Sequence, residues 1–319
     1  MPGLREDLFT NILDWNCNNY LAVSLKQTVY IWSAEKGTCR RIRVNFSEYE
    51  RAFLTSLSWN ESGKLLSVGT NGGEVLLLDA ERTKLLISFR SSEKSHISAL
   101  AWNDEAFCSG SVAGNICLHD ERQPTEHVTY IGRHRSMFSL KFSLHNYLAS
   151  GGSDGVVNIW DIRKLAKCNK IEAHGITKAL TWCPWRSNVI ATGGYDEDGS
   201  IKIWHASTAK LLSQTKINSK VCSMIWSPEY KELVTGLAGP NMKNQIAIWK
   251  DESLDNLDLV GALCQHDGQP LHLALSPTGT ILASAGSDEI MCLWNCFPST
   301  RKGSEDDIFS PLSLLKTVR

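Results

Sequence analysis

Three kinds of side chain that together can run nucleophilic catalysis recur along this chain at similar spacing. They are His134, Ser150 and Asp154; His174, Thr192 and Asp198; and His266, Ser284 and Asp288. A hydroxyl beside an imidazole that a carboxylate orients is the constellation of a serine hydrolase. Each set, however, is completed by a tryptophan six residues after the aspartate: Trp160, Trp204 and Trp294. A catalytic centre is rarely copied three times in one chain, whereas a network that holds a repeated fold is copied with it. The sets are therefore read as structural tetrads, in which a buried His–Asp–Ser–Trp chain satisfies its polar groups while tying a turn to an outer loop. Other chemistries find no support. There is no G-x-G-x-x-G or G-x-x-x-x-G-K-[ST] phosphate loop, and no H-E-x-x-H pair. Gly151-Gly152 and Gly193-Gly194 fall at equivalent repeat positions and read as turn glycines. Asp196, Glu197 and Asp198 lack the alternating ligands and distal glutamate of a calcium loop. The ten cysteines contain no C-x-x-C pair, and the closest two are Cys292 and Cys296. Zinc-site spacing is absent, and reduced, partly buried thiols are expected. The sequence predicts a protein that is not an enzyme, with no cofactor and no metal.

The elements that must position these residues are also repeats. Trp-equivalent positions fall at residues 32, 78, 119, 160, 204, 249 and 294, in steps of 41–46 residues. A period of this length ending in Trp-Asp, cleanest at Trp160-Asp161, is the signature of WD propeller blades. In six of the seven periods a short strand ending in an aromatic (ILDW, SLSW, ALAW, SLKF, ALTW, SMIW) precedes a polar turn, and LALS stands there in the last. A small-residue strand such as YLASGG or VIATGG follows, and then the Trp strand. Short strands split by Gly, Asn, Asp and Ser turns predict an all-β fold. Seven units predict a seven-bladed WD-repeat β-propeller over residues 1–297, with 298–319 as a flexible C-terminal tail ending Val-Arg.

With 319 residues the chain can bury a large core without disulfide or metal staples. Lys+Arg 33 against Asp+Glu 34 leaves a formal charge of −1, which disfavours a nucleic-acid surface. The opening MPGLREDLFTNIL brings charge at Arg5, Glu6 and Asp7 before any apolar run, so no signal peptide is expected. No apolar, charge-free stretch of membrane-spanning length is present either. A cytoplasmic and nuclear protein with no membrane partner is expected.

A propeller is a platform, and function must come from its surface. The opening PGLREDLFTNILDWNCNNYLAVSLKQTVYIWSA, together with TWCPWRSNVIATGG (181–194), VCSMIWSPEYKELVTG (221–236), NQIAIWK (244–250) and LALSPTGTILASAGSDEIMCLWNCF (273–297), resembles the fizzy family of anaphase-promoting-complex activators. The resemblance covers nearly the whole chain. Its 181–194 and 221–236 blocks are nearest the mitotic branch, and the divergence elsewhere suggests a B-type vertebrate paralogue. It implies a non-catalytic substrate-recognition adaptor that links degron-bearing substrates to the ligase in cell-cycle proteolysis. The alternative reading is a WD-repeat interaction scaffold that no longer binds degrons.

The resemblance also implies three working parts. The first is an N-terminal arm with a C-box and a strand that closes the last blade. This chain starts inside the family's Leu-Asp-Ala-Pro segment, at Pro2, so a fragment or short form with an unclosed last blade is expected. The second is the degron receptor. Glu289 matches an acidic residue that receives the destruction-box arginine, and Pro2 marks the other side of that site. At the KEN-box positions the chain has Ser153, Gly155, Asp196, Lys220 and Gln269 where the mitotic branch has Asn, Asn, Thr, Gln and Arg, so weakened KEN recognition is expected. The third is a C-terminal Ile-Arg that docks on a TPR-type subunit of the ligase. Val318-Arg319 keeps the guanidinium and carboxylate and lacks one methylene, worth about 0.8 kcal/mol if buried. The implied partners are TPR-type subunits of the anaphase-promoting complex and degron-bearing protein substrates.

Overall fold

The computed structural model describes residues 9–44, 52–90, 94–104, 106–122, 129–173, 175–196, 199–239, 244–250 and 256–297. Among these residues the regular elements are all β-strands. The chain forms two compact units, one within residues 7–177 and the other within 178–319.

The first unit carries four antiparallel sheets of four strands each. The first sheet is β1 (Leu13–Trp15), β2 (Tyr20–Leu25), β3 (Thr28–Ser33) and β4 (Cys39–Arg43). The second is β5 (Leu54–Trp59), β6 (Leu65–Thr70), β7 (Glu74–Asp79) and β8 (Lys84–Arg90). The third is β9 (Ile97–Asn103), β10 (Ala106–Ser111), β11 (Asn115–Asp120) and β12 (Thr129–Arg133). The fourth is β13 (Met137–Phe142), β14 (Tyr147–Gly152), β15 (Val156–Asp161) and β16 (Ala166–Glu172).

The second unit carries three further sheets. The fifth is β17 (Thr177–Trp182), β18 (Val189–Gly194), β19 (Ser200–His205) and β20 (Lys210–Lys216). The sixth is β21 (Lys220–Ser227), β22 (Glu232–Ala238), β23 (Gln245–Lys250) and β24 (Asp258–Leu263). The seventh is β25 (Pro270–Leu275), β26 (Ile281–Gly286) and β27 (Met291–Asn295), three strands among the described residues. Seven sheets in chain order, each a meander, are the seven expected blades of a WD-repeat propeller.

Local sequence explains the regularity. Every turn between a first and second strand holds one residue in the left-handed region: Asn19, Gly63, Asp104, Asn146, Asn188, Lys231 and Gly279. Asn, Asp and Gly tolerate that conformation best, so six of the seven turns are written in the sequence and one, at Lys231, relies on the surrounding sheet. The second strands are buried on both faces, as the continuous apolar and small-residue text of YLASGG and VIATGG requires. The fourth strands show the opposite pattern, with β8, β16, β20 and β24 exposed over most of their length. Neighbouring sheets share cores. One contains Ala99, Ile116, Met137, Leu140, Leu148 and Trp160, and another Ile201, Val221, Trp226, Leu233 and Trp249.

The Leu13-Asp14-Trp15 triplet has a structural purpose. Asp14 Oδ2 accepts the Trp59 backbone N–H at 2.8 Å and Oδ1 accepts that of Trp15 at 3.0 Å. The Trp59 indole donates to the Asp14 carbonyl at 3.3 Å. One carboxylate thus stitches the first sheet to the second. Burial raises its pKa, and Lys141, the two backbone N–H groups and Ser58 oppose that rise.

Candidate functional site

The tetrads form as hydrogen-bonded chains wherever all four members are described. In the fourth sheet His134 Nδ1 lies 2.9 Å from Asp154 Oδ2, and Nε2 lies 2.7 Å from Ser150 Oγ. With Nδ1–H donated to the carboxylate, Nε2 accepts the serine proton, and Ser150 Oγ in turn accepts the Trp160 indole N–H at 2.8 Å. Serine and tryptophan meet because β14 and β15 pair Leu148 with Trp160, which makes Ser150 the diagonal neighbour of the indole. Burial lowers the His134 pKa, against the pull of the nearby Asp154 charge and hydrogen bond. The seventh sheet repeats the geometry: His266 Nδ1 to Asp288 Oδ2 at 2.9 Å, Nε2 to Ser284 Oγ at 2.8 Å, and Trp294 Nε1 to Ser284 Oγ at 2.8 Å. In the fifth, Trp204 Nε1 donates to Thr192 Oγ1 at 2.9 Å, while His174 and Asp198 lie outside the described residues. Each serine hydroxyl is saturated by an indole and an imidazole, so none is presented as a nucleophile.

Two further versions escaped the sequence reading. In the sixth sheet Trp249 Nε1 donates to Thr235 Oγ1 at 2.8 Å, and among the described residues no histidine or aspartate joins the pair. In the third, His119 occupies the tryptophan position and its Nε2 lies 2.7 Å from Ser109 Oγ. The smaller ring stacks on Phe107 and leaves a cavity of about 10 Å³ lined by Ser109, Ser111 and Cys117. His119 Nδ1 and Ser111 Oγ are buried there without partners, and burial pushes the His119 pKa down to about 4.

The seventh tetrad also organises a surface. Asp288 Oδ2 accepts the backbone N–H groups of Asp267 and Gly268 at 3.0 and 3.4 Å, and Oδ1 accepts that of Ile290 at 3.1 Å. Burial acts to raise the Asp288 pKa, but the hydrogen bond and charge of His266, with those backbone donors, hold it below the usual carboxylate range. Residues 266–269 are thereby clamped to the turn at 287–290. The clamp continues in the Gln269 N–H to Ser287 Oγ bond at 2.8 Å and the Ser287 N–H to Gln269 O bond at 2.9 Å. Gly268 has no substitute here, since a Cβ would lie 2.4 Å from the Asp288 nitrogen and 2.5 Å from Ser287 Oγ.

Around this clamp is an open pocket of about 410 Å³ lined by Lys220, Ala238, Gly239, Asn244, Gly268, Gln269 and Ser287. Two of the five residues singled out from sequence, Lys220 and Gln269, line it together. Tyr195 lies between them: its hydroxyl donates to Gln269 Oε1 at 2.8 Å, and Lys220 Nζ stands 5.2 Å from its ring centroid. Lys178 Nζ stands 5.7 Å from the same ring. Asp196 follows Tyr195 in the same loop, where its carbonyl accepts the Gly199 N–H at 3.2 Å. Tyr195, Asn244 and Ser287 were missed by sequence reading; Tyr195, directly after Gly193-Gly194, is the one with a signal that could have found it. Ser153 and Gly155 lie in the first unit, on the turn that carries Asp154. Ser153 N–H donates to Ser136 O, and the Gly155 carbonyl accepts the Ala173 N–H, both at 3.0 Å.

Glu289 sits in the corresponding turn of the seventh sheet. Its φ is +59°, in a turn position that Gly73, Gly114 and Gly155 fill in three other sheets. Its N–H donates to Gly286 O at 3.1 Å, as the Gly114 N–H does to Ser111 O at 2.8 Å. A carboxylate side chain held in the left-handed region costs backbone energy that glycine would avoid, and such outliers cluster at functional sites. Burial pushes the Cys292 and Cys296 thiols up to about 11 and about 12, so their thiolates are scarce at neutral pH. Pro2, Val318 and Arg319 lie outside the described residues.

The description CDC20/Fizzy WD40 domain matches residues 1–294. The chain belongs to the CDC20/Fizzy WD40 family. Among curated relatives, cell division cycle 20.5, cofactor of APC complex, from Arabidopsis thaliana is 34% identical over 332 residues, spanning 100% of this chain and 72% of that protein. The anaphase-promoting complex subunit cdc20 of Dictyostelium discoideum is 36% identical over 308 residues, spanning 94% of this chain and 60% of that protein. Among solved structures, a chain of the crystal structure of the mitotic checkpoint complex superposes with a TM-score of 0.87 at 35% identity, over 93% of this chain and 90% of that one. Family membership and the seven meanders agree on the fold, and the family's propeller accounts for the tetrads as scaffold.

Proposed function

We propose that this chain is a non-catalytic cofactor of the anaphase-promoting complex ubiquitin ligase, linking degron-bearing proteins to it in cell-cycle proteolysis. The observation that carries the reading is membership of the CDC20/Fizzy family over residues 1–294, with full-length relatives named as cofactors of that complex. The chemistry agrees. Every described Ser–His–Asp set is locked inside a sheet, and the residues that remain for function are surface loops that a polar clamp holds in place. In this reading Glu289 and Pro2 belong to the degron receptor, and Val318-Arg319 docks on a TPR-type subunit of the ligase. The protein works in the cytosol and the nucleus.

Lys220 and Gln269 in the pocket favour a second reading, a scaffold of the same fold that has given up KEN-box degrons. Co-precipitation of the anaphase-promoting complex with this chain, beside a version lacking Val318-Arg319, tests the proposal. Capture that is lost with the dipeptide supports the cofactor role and the tail. Absence of capture by either version, with the protein folded, favours the scaffold.

A further inference from the structure

The outer strands of the sheets differ in how they are defended. An outermost strand leaves one row of backbone N–H and C=O groups unpaired, and charged side chains, lysine above all, keep other chains from adding to it. β4 carries three arginines, β8 a lysine and an arginine, β12 an arginine, and β16 and β20 two lysines each. β24, with the sequence DLVGAL, carries none. It is the outermost strand of the sixth sheet and pairs with β23 on one side. Among the described residues, no backbone group of 258–263 is bonded on the other side. Leu259 and Val260 are 50% and 53% exposed on this strand. β8 exposes Leu85 to a similar degree, but between Lys84 and Arg90. Val260 is the extra residue of a bulge opposite the step from Ile248 to Trp249. A bulge blunts an edge, yet β8, β16 and β20 have one too and add charge to it. Charge is therefore what β24 lacks, and Gly261, Ala262 and Leu263 keep the regular register beyond the bulge.

The charge pattern indicates what fits there. From Asp251 to Thr300 there are five aspartates and two glutamates and no lysine or arginine. Lys250 of β23 stands opposite Asp258 and offsets it, and the other carboxylates of the run have no lysine or arginine within the same stretch. A second copy of β24 would bring the same acidic run and no cation, so like charge opposes that pairing. We propose that β24 is a docking edge that takes an extended segment of a partner protein as a fifth strand, one that carries lysine or arginine among β-branched or aromatic residues. Main-chain hydrogen bonds supply affinity, Leu259 and Val260 supply apolar contact, and the acidic run selects the cationic segment. A partner held here is bound independently of the ligase and of the Glu289 turn.

The test uses the full chain and fluorescence anisotropy with three degenerate octapeptide pools. The first fixes alternating valine and lysine at its central positions. The second has glutamate for lysine, and the third is the first with every central amide N-methylated, which removes the donors a strand needs. Expected is binding of the first pool at least about ten-fold tighter than either other pool. Hydrogen exchange should slow at residues 258–263 when the first pool is bound. Leu259→Lys with Val260→Lys, two exposed positions, should abolish the preference, and thermal melting confirms that the variant is folded. Equal binding of the glutamate or N-methylated pool, a preference that survives the double substitution, or no binding by any pool would each overturn the proposal. Dimerisation of the chain in sedimentation that the double substitution abolishes would overturn it in favour of a second copy. Neither the ligase nor a destruction-box peptide enters these measurements, so their failure is distinguishable from failure of the cofactor role.

Discussion

The third and fourth sheets of the first unit solve one problem with different residues. In the fourth, an indole fills its space and donates to Ser150, a histidine caps that hydroxyl, and Asp154 fixes the histidine. In the third, His119 reaches Ser109 at nearly the same distance but fills less volume, and it leaves its own Nδ1 and Ser111 Oγ buried without partners. The hydrogen bond is therefore the easy part of the motif to replace, and the volume and the remaining polar atoms are the hard part. The second sheet makes the complementary point. Val68 and Leu78 stand where the fourth has Ser150 and Trp160, both are fully buried, and no polar atom is left over. Exchanging both partners for apolar residues is close to neutral, whereas exchanging one strands the other.

Five substitutions and one titration probe that comparison. Trp160→Ala should have the largest effect, a loss of about 3–5 kcal/mol in urea unfolding, because it empties a packed core and unpairs Ser150. An equal loss from His119→Ala would erase the claimed difference between the sheets. Next is acidification. The His119 pKa is about 4 in the folded chain against the ordinary 6.5, so the unfolded chain binds the proton first as pH falls. Stability is full above pH 6.5, declines between 6.5 and 4, and has lost about 3 kcal/mol from this group below that range. His134, also lowered, adds to the slope in the same direction. His119→Leu should flatten the decline measured by melting at stepped pH, and an unchanged slope would locate the titration elsewhere. Smaller again, Ser150→Ala should cost about 1–3 kcal/mol by leaving the indole and imidazole unpaired. Thr235→Ala, in the shorter chain of the sixth sheet, should cost about 1 kcal/mol, since only one indole loses its partner.

How much of this was legible in the sequence differs between elements. The seven Trp-equivalent positions carried the blade count, because a repeat must bury its face against the next copy and so preserves its spacing. The tetrads were legible for the same reason at His134 and His266. The Trp249–Thr235 pair and the exchange at His119 were not, since neither keeps the full residue set. The pocket was half legible. Lys220 and Gln269 came from family resemblance, but Tyr195, Asn244 and Ser287 converge through loop conformations that no periodicity encodes. The left-handed φ of Glu289 is likewise invisible in one sequence, because only the neighbouring turns show that glycine is the ordinary occupant.

The most direct measurement of the adaptor role is a bridging assay. Immobilised anaphase-promoting complex is incubated with a labelled destruction-box substrate, with and without this chain. The account predicts substrate retained on the complex in proportion to added chain, and lower retention with Glu289→Lys, which places a cation where the degron arginine must sit. Retention that is the same with and without the chain, while the chain itself remains bound to the complex, would contradict it.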